Sequence, residues 1–162
     1  MDHNKLILEM TKYYSGDPQR IQHFMKVYAY ARMIGEMEGI SGEDQEVLEV
    51  AAIVHDIGIK VSMEKYGDSV GKHQEAEGPD VAREMLESLG YDEYLIQRVC
   101  YLVGHHHTYH DIDGIDYQIL VEADFLVNLF EDKLSEHAIE SALKEIFVTA
   151  AGIRICKLMF GV

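Results

Sequence analysis

The sequence predicts an all-α protein folded as one domain, and three observations point that way. Apolar residues recur at three- and four-residue spacings along nearly the whole chain, the period of a helix with one buried face. Nowhere is there a sustained apolar–polar alternation with β-branched enrichment, the mark of a half-buried strand. Cap residues and glycines divide the 162 residues into helix-length pieces, with no linker, repeat or low-complexity stretch between them. That length suits a single domain able to bury its own core.

Taken in order, residues 4–14 read as a first helix that ends at Ser15-Gly16. Asp17 has the character of an N-cap and Pro18 sits in the first turn, opening a helix to about Gly39. Ser41 caps the next, in which Val47, Leu48, Ala51, Ala52, Val54 and His55 fall at helical spacing, and which stops near Ile57-Gly58. Residues 59–76 are looser, with Gly67 and Gly71 following Gly58 and one short helix around Met63–Tyr66. Periodicity resumes with Pro79 early in a helix that Gly90 stops, and Asp92 caps another that runs to the histidines at 105–107. After the polar turn at Thr108–Asp116, helices are expected over Asp116–Glu131, Ser135–Phe147 and Thr149–Phe160.

Composition narrows the functional classes. The 14 Lys+Arg against 29 Asp+Glu give a net charge of −15, and no basic stripe is present, so a nucleic-acid polymer is not an expected partner. An acidic enzyme can still accept a phosphorylated substrate if a bound cation supplies positive charge locally. No run approaches the ~20 apolar residues that a bilayer span needs, and the start MDHNKLILEM lacks a basic region followed by an apolar one. Two cysteines, Cys100 and Cys156, are too few for a disulfide scaffold, and a reducing cytoplasm is the expected compartment. Nine histidines turn attention to metals, and their placement decides the matter.

Asp124 shares an apolar helix face with Leu120, Val121 and Val127. A buried carboxylate without a partner costs several kcal/mol or protonates, so it needs an Arg, a Lys, a helix N-terminus or a metal. His55 continues the stripe Leu48, Ala51, Ala52 at the end of its helix and is followed by Asp56. His23 is in register with Val27, Tyr30 and Ile34. A single inward His is commonly a hydrogen-bonded core residue, but three inward ionisable positions on separate helices suit a metal with mixed imidazole and carboxylate ligands.

The order His23 … His55-Asp56 … Asp124 resembles the H…HD…D signature of the HD-domain metal-dependent phosphohydrolases. The local text agrees in RIQHFMKVYAYARMIG, EVAAIVHDIGIK and ILVEADFLVNL. The resemblance covers roughly residues 17–135 and implies an HD-type bundle of about six to eight helices, with the helices over 135–160 packing on that core. It implies that His23, His55, Asp56 and Asp124 ligate one divalent cation (Mn, Fe, Co, Ni, Mg or Zn), with Asp56 able to bridge to a second ion. It also implies hydrolysis of a phosphoester or phosphoanhydride bond, often in a nucleotide, by a metal-activated water. Lys60, after the HD doublet, is the counterpart of a Lys that can stabilise phosphate charge in relatives; a surface Lys is the equal alternative.

Dinuclear relatives add two further elements. VCYLVGHHHTYH supplies the later one: His106 is in register with Val99 and Val103, His105 follows Leu102 as a close second, and His107 reads as solvated surface. The earlier element departs from the pattern. Relatives place a His four residues before a Gly, where this chain has Gln74 before Gly78, with His73 one residue further back. Either His73 shifts into the role, or Glu75 or Glu77 replaces it, or the second site is weak or missing. His3 and His137 read as surface residues, and Arg32, Lys72, Arg83 and Arg98 as unranked alternative anion contacts. The expected activity is thus a metal-dependent phosphohydrolase with a small phosphorylated substrate. The rivals are a di-iron oxygenase of the same fold and a non-catalytic metal-binding or signalling domain.

Overall fold

The computed structural model describes residues 3–162, and among them are nine helices and no strand. In chain order they are α1 (His3–Tyr13), α2 (Pro18–Met37), α3 (Gly42–Val54), α4 (Gly58–Tyr66), α5 (Gly71–Ser88), α6 (Glu93–Val103), α7 (Ile115–Glu131), α8 (Glu136–Glu145) and α9 (Ala150–Phe160). The axis of the fold is α3. Every residue from Val47 to Val54 is buried, Glu49 included, as expected of a helix surrounded by others. It is packed by α2, α6, α7 and α1, while α4 and α5 lie together beside α6. One continuous core runs from Leu6 to Cys156. Each fully buried Val, Leu or Ile in it contributes about 1.5–3 kcal/mol.

Several boundaries follow from identifiable chemistry. The Asp17 side chain accepts from the Arg20 amide and Pro18 opens α2. Asp92, Ser135 and Thr149 cap α6, α8 and α9 through the amides of Leu95, Ala138 and Gly152. The stretch at 59–76 is more ordered than its glycines suggest, holding all of α4 and the start of α5. Pro79 lies inside α5 rather than near its beginning. The two glycines here serve close approach: a Cβ on Gly58 would lie 2.6 Å from the Gln74 carbonyl oxygen and 2.9 Å from the Gly78 Cα. The bare backbones let α4 turn immediately after Asp56 and seat against α5.

The C-terminal helices are fastened to the bundle by a buried carboxylate. Glu122 of α7 accepts from the backbone amides of Val148 (2.7 Å) and Thr149 (2.9 Å), from the Thr149 hydroxyl (2.5 Å) and from Gln118 Nε2 (2.8 Å). Its negative charge sits where α9 begins, the favourable end of that helix for an anion. Among the described residues, no helix is long and apolar enough to cross a membrane.

Candidate metal centre

The buried, apolar second half of α3 ends at Val54, so the next two residues emerge in the middle of the molecule: His55 is fully buried and Asp56 nearly so. Tyr14 at the end of α1 holds this turn by donating to the Asp56 carbonyl (2.7 Å), and Tyr13 donates to the Ile57 carbonyl (3.2 Å). His23 from the second turn of α2 and Asp124 from the middle of α7 face the same point, both buried. His23 Nε2 lies 3.1 Å from Asp124 Oδ1, 3.2 Å from Asp56 Oδ2 and 3.3 Å from His55 Nε2. His55 Nε2 is 3.5 Å from both carboxylates.

The opposite edge of each imidazole fixes its tautomer. His55 Nδ1 meets the Ala52 carbonyl at 2.8 Å, and His106 Nδ1 meets the Val103 carbonyl at 2.8 Å. A carbonyl only accepts, so both Nδ1 atoms carry hydrogen. His23 Nδ1 donates likewise to Glu131 Oε2 at 3.2 Å, and Lys26 Nζ pairs with the other Glu131 oxygen at 2.7 Å. In their neutral forms the histidines therefore turn Nε2 lone pairs toward two carboxylates. Acceptors crowded at these distances require a positive charge among them, carried either by protons or by a cation.

Electrostatics states the same requirement. Burial disfavours charge on His55, yet the Asp56 and Asp124 carboxylates outweigh it and raise its pKa to about 9. Burial alone would lift the two aspartates, but His55 and His106 beside Asp56, and His23 and His55 beside Asp124, hold both well below the usual carboxylate range. Asn128, one turn beyond Asp124, donates to its Oδ1 at 2.9 Å.

A second group forms on the other oxygen of Asp56. His106 is fully buried, and its Nε2 has no hydrogen-bond partner among the described residues and lies 3.5 Å from Asp56 Oδ1. Asp56, His106 and His107 bring three donor atoms close enough for one ion, as do His23, His55 and Asp56. Donor set and orphaned nitrogen thus suit a divalent ion of the imidazole- and carboxylate-binding kind. His107 Nε2 meets Gln74 Oε1 at 3.1 Å, while Gln74 donates to the Ser69 carbonyl at 2.6 Å. Burial and the neighbouring His106 push the His107 pKa down to about 4, which keeps its ring neutral.

Placement differs from the sequence expectation at several residues. His107, read as surface, is one of the site-facing pair, whereas His105 turns away: its Nδ1 donates to the Tyr101 carbonyl (2.7 Å) and its ring stacks on Tyr101 at 4.1 Å. The cause is the end of α6, where the chain leaves the helix at Gly104 and the register that linked His105 to Leu102 lapses. His73 also points elsewhere, pairing with Asp68 at 2.7 Å and stacking on Tyr66 at 3.9 Å, so the position four before Gly78 faces the site with Gln74 in it. Lys60 lies over the Tyr13 ring, 4.9 Å from its centroid, outside the cluster. His3, read as a surface residue, is partly buried and pairs with Glu49 at 3.0 Å.

Arg20, Asn128 and Glu131 escaped the sequence reading. Each lies at helical spacing from a cluster residue, Arg20 three before His23 and the others four and seven after Asp124, which is the signal that could have found them. Arg20 Nη1 stands 3.7 Å from Asp56 Oδ2. The cluster forms one wall of an open cavity of about 400 Å³ that Arg20, Gln74, His107 and Tyr109 also line.

The HD domain family model matches residues 20–149. A crystal structure of a "predicted HD superfamily hydrolase" from an uncultured Thermotogales bacterium superposes with a TM-score of 0.71 at 22% identity, covering 98% of this chain and 86% of that one. A search of curated proteins finds no match. The family match spans both HD-turn residues, the two flanking helices and the whole cluster they form, and the chain belongs to the HD-domain family.

Proposed function

We propose that this protein is a metal-dependent phosphohydrolase acting on a phosphoester or phosphoanhydride bond of a small phosphorylated molecule, a class that includes nucleotides. The observation that carries the reading is the convergence of His23 Nε2, His55 Nε2, Asp56 Oδ2 and Asp124 Oδ1 on one point beside a cavity, with both imidazoles locked in the tautomer that leaves Nε2 free to ligate. When bound there, a divalent cation supplies a water of lowered pKa and takes up charge on phosphoryl oxygens.

The remaining work falls to the chain. Asp56 directs one carboxylate oxygen to each group of histidines, which makes it the natural bridge if a second ion binds. Glu131 and the Ala52 carbonyl fix the rings of His23 and His55, and Asn128 fixes the Asp124 carboxylate. Arg20 is the cation best placed to orient a phosphoryl group, a role that the displaced Lys60 does not fill from its seat on Tyr13. In the overall reaction a water oxygen forms the new bond to phosphorus, the ester P–O bond breaks, and a proton from that water ends on the departing oxygen.

The two histidine groups sharing Asp56 also favour one rival, oxygen chemistry at a pair of iron ions. A metal-by-substrate screen on stripped protein separates these readings. Phosphatase activity that is absent after chelation and returns with Mn, Co, Ni or Mg is the expected result. Full activity in thoroughly stripped protein would overturn hydrolysis by this centre, and two iron ions per chain with no phosphatase activity would favour the oxygenase.

A further inference from the structure

A second cavity of about 450 Å³ adjoins the one over the cluster, and the two share Arg20, Ile59 and Ser69 as walls. Each is of a size that holds small molecules. The second chamber lies between the end of α1 and α4, bounded by Tyr13, Tyr14, Ile59, Lys60 and Met63. The tyrosine rings meet edge to face at 4.8 Å. Their hydroxyls are already committed to the Ile57 and Asp56 carbonyls, so what they present to the chamber is aromatic carbon. Met63, half exposed, and the buried Ile59 extend that apolar wall.

Arg20 stands at the divide between the chambers. Among the described residues its Nε is buried without a hydrogen-bond partner, and its Nη1 makes a long 3.7 Å approach to Asp56. Donors left open on the side of the carboxylate cluster, next to an apolar chamber, fit a ligand of two parts.

Building on the phosphohydrolase reading, we propose that the chamber between α1 and α4 is a leaving-group subsite, and that the substrate is a phosphomonoester of a bulky apolar or aromatic alcohol. The phosphoryl group lies at Arg20 and the cluster, and the organic group lies against Tyr13, Tyr14, Ile59 and Met63. Water adds to phosphorus, the P–O bond to the organic group breaks, and the alcohol departs through this chamber with the transferred proton. Lys60, exposed and resting on the Tyr13 ring and carbonyl, lines the chamber and adds positive charge to an otherwise acidic surface.

The test measures binding with phosphonates, which do not turn over, alongside hydrolysis of the matching phosphates. Metal-loaded wild type should bind 1-naphthylphosphonate roughly tenfold or more tightly than methylphosphonate, the scale of apolar-pocket discrimination. Met63→Asp should erase that advantage, bringing the two phosphonates to equal affinity, while Arg20→Ala should weaken both. Because Met63 lies half exposed on α4, the variant keeps the core intact, and its circular dichroism should match wild type. Equal affinity of wild type for the two phosphonates, or an advantage that survives Met63→Asp, overturns the subsite. Met63-dependent phosphonate binding without hydrolysis of 1-naphthyl or methyl phosphate would leave the subsite standing and remove the phosphohydrolase reading instead.

Discussion

Glu131 touches none of the converging acceptor atoms, yet its loss should weaken the metal site. It accepts the Nδ1 hydrogen of His23 at 3.2 Å and is itself paired with Lys26 at 2.7 Å. Without it the His23 ring can rotate, and the proton is no longer confined to the nitrogen that points away from the cluster. Removing a partner of this kind typically costs about 10–100-fold in metal affinity, or about 1.4–2.8 kcal/mol. Glu131→Ala should show that loss in a competition titration against a chromophoric chelator, with helical content unchanged because the side chain lies at the end of α7 beside solvent. Glu131→Gln retains an oxygen that can accept from Nδ1 and loses only the charge, so it should fall nearer to wild type. Unchanged affinity in Glu131→Ala would refute the argument that this contact orients His23, and equal losses in both variants would assign the effect to charge rather than to orientation.

Other outcomes follow from the same geometry. Asp124→Ala should sharply reduce bound metal while retaining near-native helical content by circular dichroism, because the variant deletes a buried charge along with a donor. Metal titration should show one tight and one weaker class of site, with the weaker lost in His106→Ala and unaffected in His105→Ala, whose ring is stacked on Tyr101. In stripped protein the charge on His55, whose pKa rises from 6.5 to about 9, contributes stability that is fully present below pH 6.5 and disappears as pH climbs through 9. Over that same window apparent metal affinity should rise, since the incoming cation has one fewer proton to displace, and both trends are readable from melting curves with and without metal. Gly58→Ala should lower stability by about 1–3 kcal/mol in denaturant unfolding, because the added carbon meets backbone rather than a movable side chain.

The sequence disclosed the elements that rest on local signals. Asp17, Asp92, Ser135 and Thr149 announced helix starts and make the cap hydrogen bonds, whereas Ser41 precedes α3 without one. His23, His55 and Asp124 were legible because each continues an apolar stripe, and a stripe on a long helix fixes a side chain's direction. The same reasoning failed at helix ends. The register that favoured His105 over His107 ended with α6 at Gly104, and in the stretch after Gly58 no periodicity existed to orient Lys60, His73 or Gln74. Pro79 was expected early in its helix, where Pro is best tolerated, but α5 begins at Gly71 and carries it in its interior, packed against α4 and α6. Partners that approach from another helix, such as Glu122 for the start of α9, depend on the packed bundle and have no separate trace in the local sequence.

The most direct test of the account is anomalous X-ray scattering from crystals of the protein grown with Mn or Zn. A peak about 2.0–2.2 Å from His23 Nε2, His55 Nε2 and carboxylate oxygens of Asp56 and Asp124 is the predicted result. A cation bound elsewhere, with these four side chains joined only by protons and water at saturating metal, would contradict it.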